Sequence, residues 1–465
     1  MMKAVAVAMS LAMVLSMSVD QNAARAQTLT ETLIHAYQNS PALESSRASL
    51  RSFDENVPLQ RSARRPNVSA TARGDLDASD DDDWDIDNSF SASLNASLLI
   101  YDHGETAAAV ESARAIVSAQ RWFLISDEQA VLLDAVTAFM DVRRDIESVN
   151  VARNNVSVLA EQVRATQDRF DLGEVTRTDV SLSEARLAAA RANEALVLGS
   201  LAISRENFLA AVGRPAGTPQ PPPVLPELPA TLAQAEAIAM REQPELNAAR
   251  FNQIAAEFDL TRARAARGPT VSLGADVTYS DTPGNAFTSG RSRDTSAGLS
   301  VTGNLPIYQG GQLSALVRQA EANLAQSQFD VQNTARAVRQ NLGSAWSNLA
   351  VARATITANQ QEVRAATVAF EGGREEASLG ARTTLDVLDL EQDLRDAEFA
   401  LASSLRDEYV AAYQLLSAMG LLTVKHLNLG IPTYDPDVNF NRVQNGPYST
   451  VEGSILDKLR DRYSR

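Results

Sequence analysis

Apolar and polar residues alternate with a period of two in four stretches of this chain. After Pro66, Val68, Ala70 and Ala72 alternate with Ser69, Thr71 and Arg73. From Ser89 the pattern runs unbroken through Phe90, Ala92, Leu94, Ala96, Leu98 and Ile100. It returns as Val271, Leu273, Ala275, Val277 and Tyr279, then as Ala297, Leu299, Val301, Gly303 and Leu305. These runs predict strands at about 67–77, 89–101, 270–280 and 296–308, each with one apolar and one wet face. Elsewhere the period is helical, predicting helices at about 30–64 and 232–267 ahead of the strands. Asp102 to Phe170 contains no proline and carries a stripe every seven residues: Val142, Val149, Val156, Val163 and Phe170. Leu342, Leu349, Ile356, Val363 and Phe370 repeat it, and such spacing winds a helix left-handedly against a partner. Each long helix breaks at a Leu-Gly turn, Leu172-Gly173 or Leu379-Gly380, before a second helix that ends near Gly213 or Gly420.

The two halves are copies. Tyr101-Asp102-His103-Gly104 returns 207 positions later as Tyr308-Gln309-Gly310-Gly311, and Thr176-Arg177-Thr178-Asp179-Val180 as Thr383-Thr384-Leu385-Asp386-Val387. Upstream the offset is 203, pairing Pro41 with Pro244 and Pro66 with Pro269. A repeat this long is a duplicated structural unit. It divides the chain into a first repeat at 27–212, a proline-rich linker at 213–230, a second repeat at 231–420, and a tail at 421–465 that matches neither. Pro432, Pro436 and Gly446 predict an irregular tail with a short helix near 454–462.

Composition narrows the partners. Lys3, an apolar run and Ala24-Arg25-Ala26 read as a secretory signal over 1–26, the other reading being an N-terminal anchor. Gln27 rather than cysteine follows the expected cut, which excludes lipid attachment there. The chain has no cysteine, and its histidines (His35, His103 and His426) are scattered, so neither a disulfide, a metal site nor a cofactor is expected. A net charge of −16 argues against nucleic acid. No segment beyond the signal approaches the ~20 apolar residues a membrane helix needs, so an exported chain of this kind enters a membrane as strands. The strands have the length that crosses a bilayer when tilted. A half-buried pair in a soluble domain alternates in the same way, but the acidic connection around Asp75–Asp87 and the Gly- and Ser-rich one at 281–294 belong in water beyond a membrane. Four strands cannot close a barrel and an open edge cannot sit in lipid, so closure requires other chains, giving eight, twelve or sixteen strands. An enzyme is disfavoured, since no nucleophile–base pair or phosphate loop is present. The main rival is a trimeric coiled-coil adhesin or rod, which would not need two hairpins of membrane-crossing length.

The duplicated helix–hairpin–long helix–helix unit, the Tyr101/Gly104 and Tyr308/Gly310/Gly311 strand-to-helix junctions, and the Leu-Gly…Thr…Asp-Val turns together resemble the outer-membrane efflux protein family typified by TolC. The resemblance covers nearly all of 27–420. It implies a mainly α fold with a β-barrel section: a homotrimer with a 12-stranded barrel in the outer-membrane lipid of a Gram-negative bacterium and a 12-helix periplasmic barrel. It further implies an exit duct joined through a periplasmic adaptor to an inner-membrane ABC transporter or RND pump. The absent lipidation cysteine and the extra tail look more like the type I protein-secretion branch. By the same resemblance, Asp386 and Asp389 form a carboxylate ring at the periplasmic mouth, while Arg382 holds the mouth shut with Asp179 as its partner. Leu172, Gly173, Thr176, Leu379, Gly380 and Thr383 form the turns that meet the adaptor. Thr176…Asp179 and Thr383…Asp386 also read as capping boxes, so each aspartate has a purely helical role open to it. Ala377 stands where the family has a gate tyrosine, a departure that bears on the closing network.

Overall fold

The computed structural model describes residues 26–80, 84–282 and 290–446. The expected signal, apart from Ala26, and the helix near 454–462 lie outside the described residues. Strand β1 (Ala26–Gln27) leads into α1 (Leu29–Asn39), α2 (Pro41–Asp54) and α3 (Asn56–Ser62). Then come β2 (Asn67–Asp80), β3 (Trp84–Tyr101), α4 (Glu105–Asp171), α5 (Arg177–Val212) and the short β4 (Thr218–Pro219). The second repeat supplies α6 (Leu232–Glu242), α7 (Pro244–Ala265), β5 (Thr270–Thr282), β6 (Ser292–Asn304), α8 (Gln312–Ser378) and α9 (Thr384–Ala418), and α10 (Pro436–Val443) follows. Helices α4 and α8 have 67 residues each, about 100 Å at 1.5 Å per residue.

The chain forms two compact units. Of the described residues, one holds those up to Ser46 and those within Leu124–Pro244 and Ala335–Tyr434; the other holds those within Arg47–Phe123 and Glu245–Thr334 and those from Asp435 to Gly446. In the second unit the strands make one antiparallel sheet in the order β2-β3-β5-β6. Its register places like beside like. Val68, Ala96, Ala275 and Leu299 form one cross-strand row, and Ala70, Leu94, Val277 and Ala297 the next. Ser69, Asn95, Asp276 and Gly298 make a row on the opposite face. Directly paired residues share a face, so the whole sheet has one apolar side, and Val68, Leu94, Val277, Leu299 and Val301 on it are exposed.

The first unit is helical. The seven-residue stripe supplies part of its core: Val142, Val149, Leu342, Leu349 and Ile356 are buried, with Val410, Leu415 and Leu416 of α9, while Val156, Val163, Phe170, Val363 and Phe370 are half-buried. The linker is pinned rather than loose. Strand β4 pairs with β1 in parallel, Gly217 N–H donates to Gln27 Oε1 at 2.9 Å, and Tyr409 O–H donates to the Pro223 carbonyl at 3.1 Å.

Proline accounts for most departures from the expected boundaries. The helix expected at 30–64 is three helices and that at 232–267 is two, because Pro41 and Pro244 push Ser40 and Gln243 into extended backbone at ψ 117° and 121°. A further break at Glu55 precedes Pro58, which has no N–H for the carbonyl four residues back. The strand expected at 296–308 ends at Asn304, two residues before Pro306, and begins earlier, at Ser292. In the tail, Pro436 opens α10 instead of breaking the chain, behind an Asp435 cap that accepts from Asp437 N–H at 2.9 Å. That helix is anchored by an Arg121–Asp437 ion pair at 2.8 Å and by Asn439 Nδ2 donating to buried Asp54 at 2.7 Å. Against expectation, one described helix, α5, is apolar and long enough to cross a membrane, with a window of mean hydropathy 1.4. Leu196, Val197, Leu198, Leu201 and Ile203 give that window its character, and Val180, Leu187, Leu201, Phe208 and Val212 pack one face of the helix. Leu196 (71% exposed) and Ile203 (64%) are left uncovered on the other.

Gly213 and Gly420 end α5 and follow α9 at φ 80° and 79°. A Cβ at Gly213 would meet nothing closer than His35 at 4.0 Å, whereas at Gly420 it would lie 2.6 Å from the Glu242 carbonyl oxygen. Gly213→Ala is therefore expected to cost roughly 1–2 kcal/mol of left-handed strain. Gly420→Ala should lower the thermal midpoint of detergent-purified protein further; equal midpoints would show that the Glu242 contact relaxes freely.

Candidate functional site

Two turns and two junctions carry the residues singled out by the sequence. Each turn is a Schellman motif built by its glycine. Gly173 at φ 78° donates to the Phe170 carbonyl at 2.9 Å and Glu174 to Arg169 at 2.9 Å. Gly380 at φ 76° donates to Ala377 at 3.1 Å and Ala381 to Glu376 at 2.9 Å. Both turns thrust a leucine into solvent, Leu172 at 76% and Leu379 at 79% exposure.

Both following helices open with complete capping boxes. Asp179 accepts from Thr176 N–H at 2.8 Å while Thr176 Oγ1 accepts from Asp179 N–H at 3.3 Å. Thr383 and Asp386 repeat this at 3.2 Å in each direction. In both aspartates the hydrogen bond from the threonine hydroxyl, then that from its backbone, holds the carboxyl below the usual range. Arg382 sits 6 residues from Glu376 in the same turn and forms an ion pair with it. The expected Arg382–Asp179 contact is not made within the protomer, where each has a local partner. Asp386 and Asp389 also part company: Asp386 caps α9, and Asp389 binds Arg186 of α5 at 2.9 Å. Arg186 in turn donates to Gln392 at 2.8 Å, so one guanidinium clasps α5 to α9 just behind the turns. Sequence reasoning missed Arg186, since the partners lie more than 200 positions apart and no spacing signals the pair.

At the first junction the backbone is left-handed at His103 (φ 51°) and Gly104 (φ 91°); the second has Gly310 (φ 59°) and Gly311 (φ 86°). Asp102, only 2% exposed, is the residue that organises the first corner. Its carboxylate accepts from Thr106 N–H at 2.8 Å and Gly104 N–H at 3.2 Å and lies 3.4 Å from Arg64. Burial opposes its ionisation, but these hydrogen bonds outweigh it and keep the carboxyl below its ordinary value. Tyr101 O–H lies 3.2 Å from His103 Nδ1, while Tyr308 at the second corner is almost fully exposed.

A sheet with a bare apolar face and, among the described residues, two open edges, attached to helices of such length and ending in capped turns, has the features of a membrane-spanning transport protein. Comparison with known proteins makes the assignment specific: residues 33–214 and 237–421 match the model of the outer membrane efflux protein family, and the chain belongs to that family. It is 35% identical to the outer membrane efflux protein BepC of Brucella suis over 91% of each chain. It is 25% identical to the outer membrane protein TolC of Escherichia coli, over 95% of this chain and 92% of that one. Identity to the alkaline protease secretion protein AprF of Pseudomonas aeruginosa is 25%, over 77% and 74%. Among solved structures, CusC superposes with a TM-score of 0.74 at 18% identity, covering 87% of this chain and 95% of that one, which shows a shared fold. The protein is accordingly an outer-membrane efflux channel of the TolC family, with a large periplasmic part.

Acid should weaken both caps, because a carboxyl held low in the folded state stabilises above its ordinary value and loses that contribution as pH falls through its lowered one. Amide exchange at Asp179 and Asp386, corrected for intrinsic rate, is therefore expected to quicken below pH ~4. Thr383→Ala should shrink the effect at Asp386, leaving the part due to the bond from the backbone N–H of residue 383, while costing about 1 kcal/mol. An acid response undiminished in Thr383→Ala would contradict the capping assignment.

Proposed function

We propose that three copies of this chain close a 12-stranded barrel in the outer membrane and form the exit duct of a tripartite export system. A periplasmic adaptor joins it to an inner-membrane ABC transporter, and proteins are the main cargo. The observation that carries this reading is the four-stranded sheet whose apolar face is exposed and whose outer strands, β2 and β6, each have one neighbour. In lipid those unpaired backbone groups require partners, and further copies supply them. The uncovered Leu196 and Ile203 on α5 support lateral contact between helices of different copies. The secretion reading draws support from AprF, named for alkaline protease secretion, and from Gln27 in place of a lipidation cysteine. A solute duct served by an RND pump is the alternative. Deleting the chain decides between them: loss of an exported protein from the medium supports secretion, and an unchanged medium with heightened drug sensitivity supports the pump.

At the mouth, three copies of Asp386 and Asp389 place six carboxylates around one constriction, attracting cations and repelling anions. Arg382 is the closing residue, exchanging Glu376 for a carboxylate of a neighbouring turn such as Asp179. The exposed Leu172 and Leu379, presented by Gly173, Gly380, Thr176 and Thr383, are the apolar tips that an adaptor would cover. In planar bilayers, Arg382→Ser is expected to raise single-channel conductance, and unchanged conductance would remove Arg382 from the gate. Asp386→Ala with Asp389→Ala should weaken block by polyvalent cations; block equal to that of the parent would rule out the ring.

A further inference from the structure

Helices α4 and α9 come from different repeats and lie side by side with a ladder of opposed residues. Arg406 Nε donates to Asp141 at 2.8 Å. Farther along, Glu147 faces Glu398, Asn155 Nδ2 donates to Glu391, and Leu159 and Leu388 share a buried cluster. The first rung is a balanced network. Arg144 binds Asp145 at 2.7 Å and Asp141 at 3.2 Å, Arg406 reaches Asp141 and Asp407, and Ser204 of α5 donates to Asp145.

The next two rungs are not balanced. Glu398 meets the like charge of Glu147 across the seam, in a groove it shares with Arg143, Arg144, Arg406 and Tyr409, roofed by Pro221 and Pro222. Glu391 meets only a neutral amide from α4. Facing it from α5 is Arg186, already committed to Asp389 and Gln392. On its own helix are Arg395, which binds Asp396 at 3.0 Å, and Asp396 and Glu398. Beside it lies a cavity of about 260 Å³ lined by Leu159, Arg186, Leu388, Gln392 and Arg395, large enough to admit water. An ionised Glu391 therefore lacks a cation of its own while the seam is shut, and opening the seam hydrates it.

We propose that Glu391 and Glu398 are a proton-operated latch on the α4–α9 seam: protonation closes the seam behind the mouth turns, and ionisation loosens it. Burial, only partly offset by Arg395, pushes the Glu391 carboxyl up to about 7, and burial with Glu147 also raises Glu398. The shut seam thus holds protons more tightly than the open one. Its stability is full below the ordinary glutamate value of 4.5 and declines until pH passes about 7. The latch belongs to one repeat only. The position equivalent to Glu391 is Glu184, which is exposed, and that equivalent to Glu398 is Arg191. A change of pH would therefore act on one of the two repeat seams, moving α9 against α4.

Hydrogen–deuterium exchange of the full chain in detergent tests this without any reference to conductance. With rates corrected for intrinsic pH dependence, protection of residues 384–400 should rise about tenfold or more between pH 8.5 and 5.5, staying flat above about 7 and climbing below it. The stripe at 342–356 should not respond. Glu391→Gln with Glu398→Gln should hold the segment at its low-pH protection throughout. A flat parent profile, or a titration that survives in the double variant, would overturn the latch. If the double variant does not fold, the parent profile decides: protection that begins to climb as pH falls below about 7 supports the proposal, and protection that stays flat from pH 8.5 down to the ordinary glutamate range of about 4–5 refutes it.

Discussion

Backbone hydrogen bonding at the sheet edges is the constraint on which the rest of this molecule depends. The register from β2 to β6 satisfies the inner strands and leaves β2 and β6 each with an outward edge that no strand joins among the described residues. Water can satisfy the N–H and C=O groups of such an edge in a soluble protein, but a bilayer interior cannot. The exposed apolar rows therefore make sense only where the edges are joined to other strands. On the proposed closure by copies, that requirement reaches into the helices, because copies that share a barrel must also pack laterally. Alanine-rich α5, with one packed face and one bare face, suits that task.

Duplication supplies the parts, and divergence between the copies assigns them different work. The capped turns are nearly superimposable in their bonding: glycine at positive φ, then threonine, then aspartate three residues later. What differs lies beside the cap. Arg382 answers to Val175 and Asp389 to Leu182, and Glu391 is drawn into a seam while its counterpart Glu184 stays in solvent. Local folding rules thus keep the scaffold alike, while Asp389 and Glu391 are engaged across helices and Arg382 pairs with Glu376 in its own turn.

Much of this was legible in the sequence because the relevant signals are local or periodic. Strict alternation from Phe90 to Ile100 predicts both β3 and its apolar face, and the heptad stripe from Val142 predicts the buried line of α4. The same logic erred where the conformational effect of proline was not followed through, as at Pro41, Pro244, Pro306 and Pro436. At the candidate site, the Thr-x-x-Asp spacing revealed the caps, whereas Arg186 with Asp389 and Asn155 with Glu391 were invisible. Such pairs depend on which helix lies beside which, and no spacing within one helix encodes it. Asp102 is an intermediate case. It stood within the quoted junction, yet its burial and its grip on Thr106 and Gly104 follow only from the folded corner.

The most direct test of the account is the mass of the particle extracted from outer membranes, read by native mass spectrometry after gentle release from detergent. Closure by copies predicts a complex of three chains that survives this release. A single folded chain as the sole species would contradict the claim that the four strands are completed by strands from other molecules.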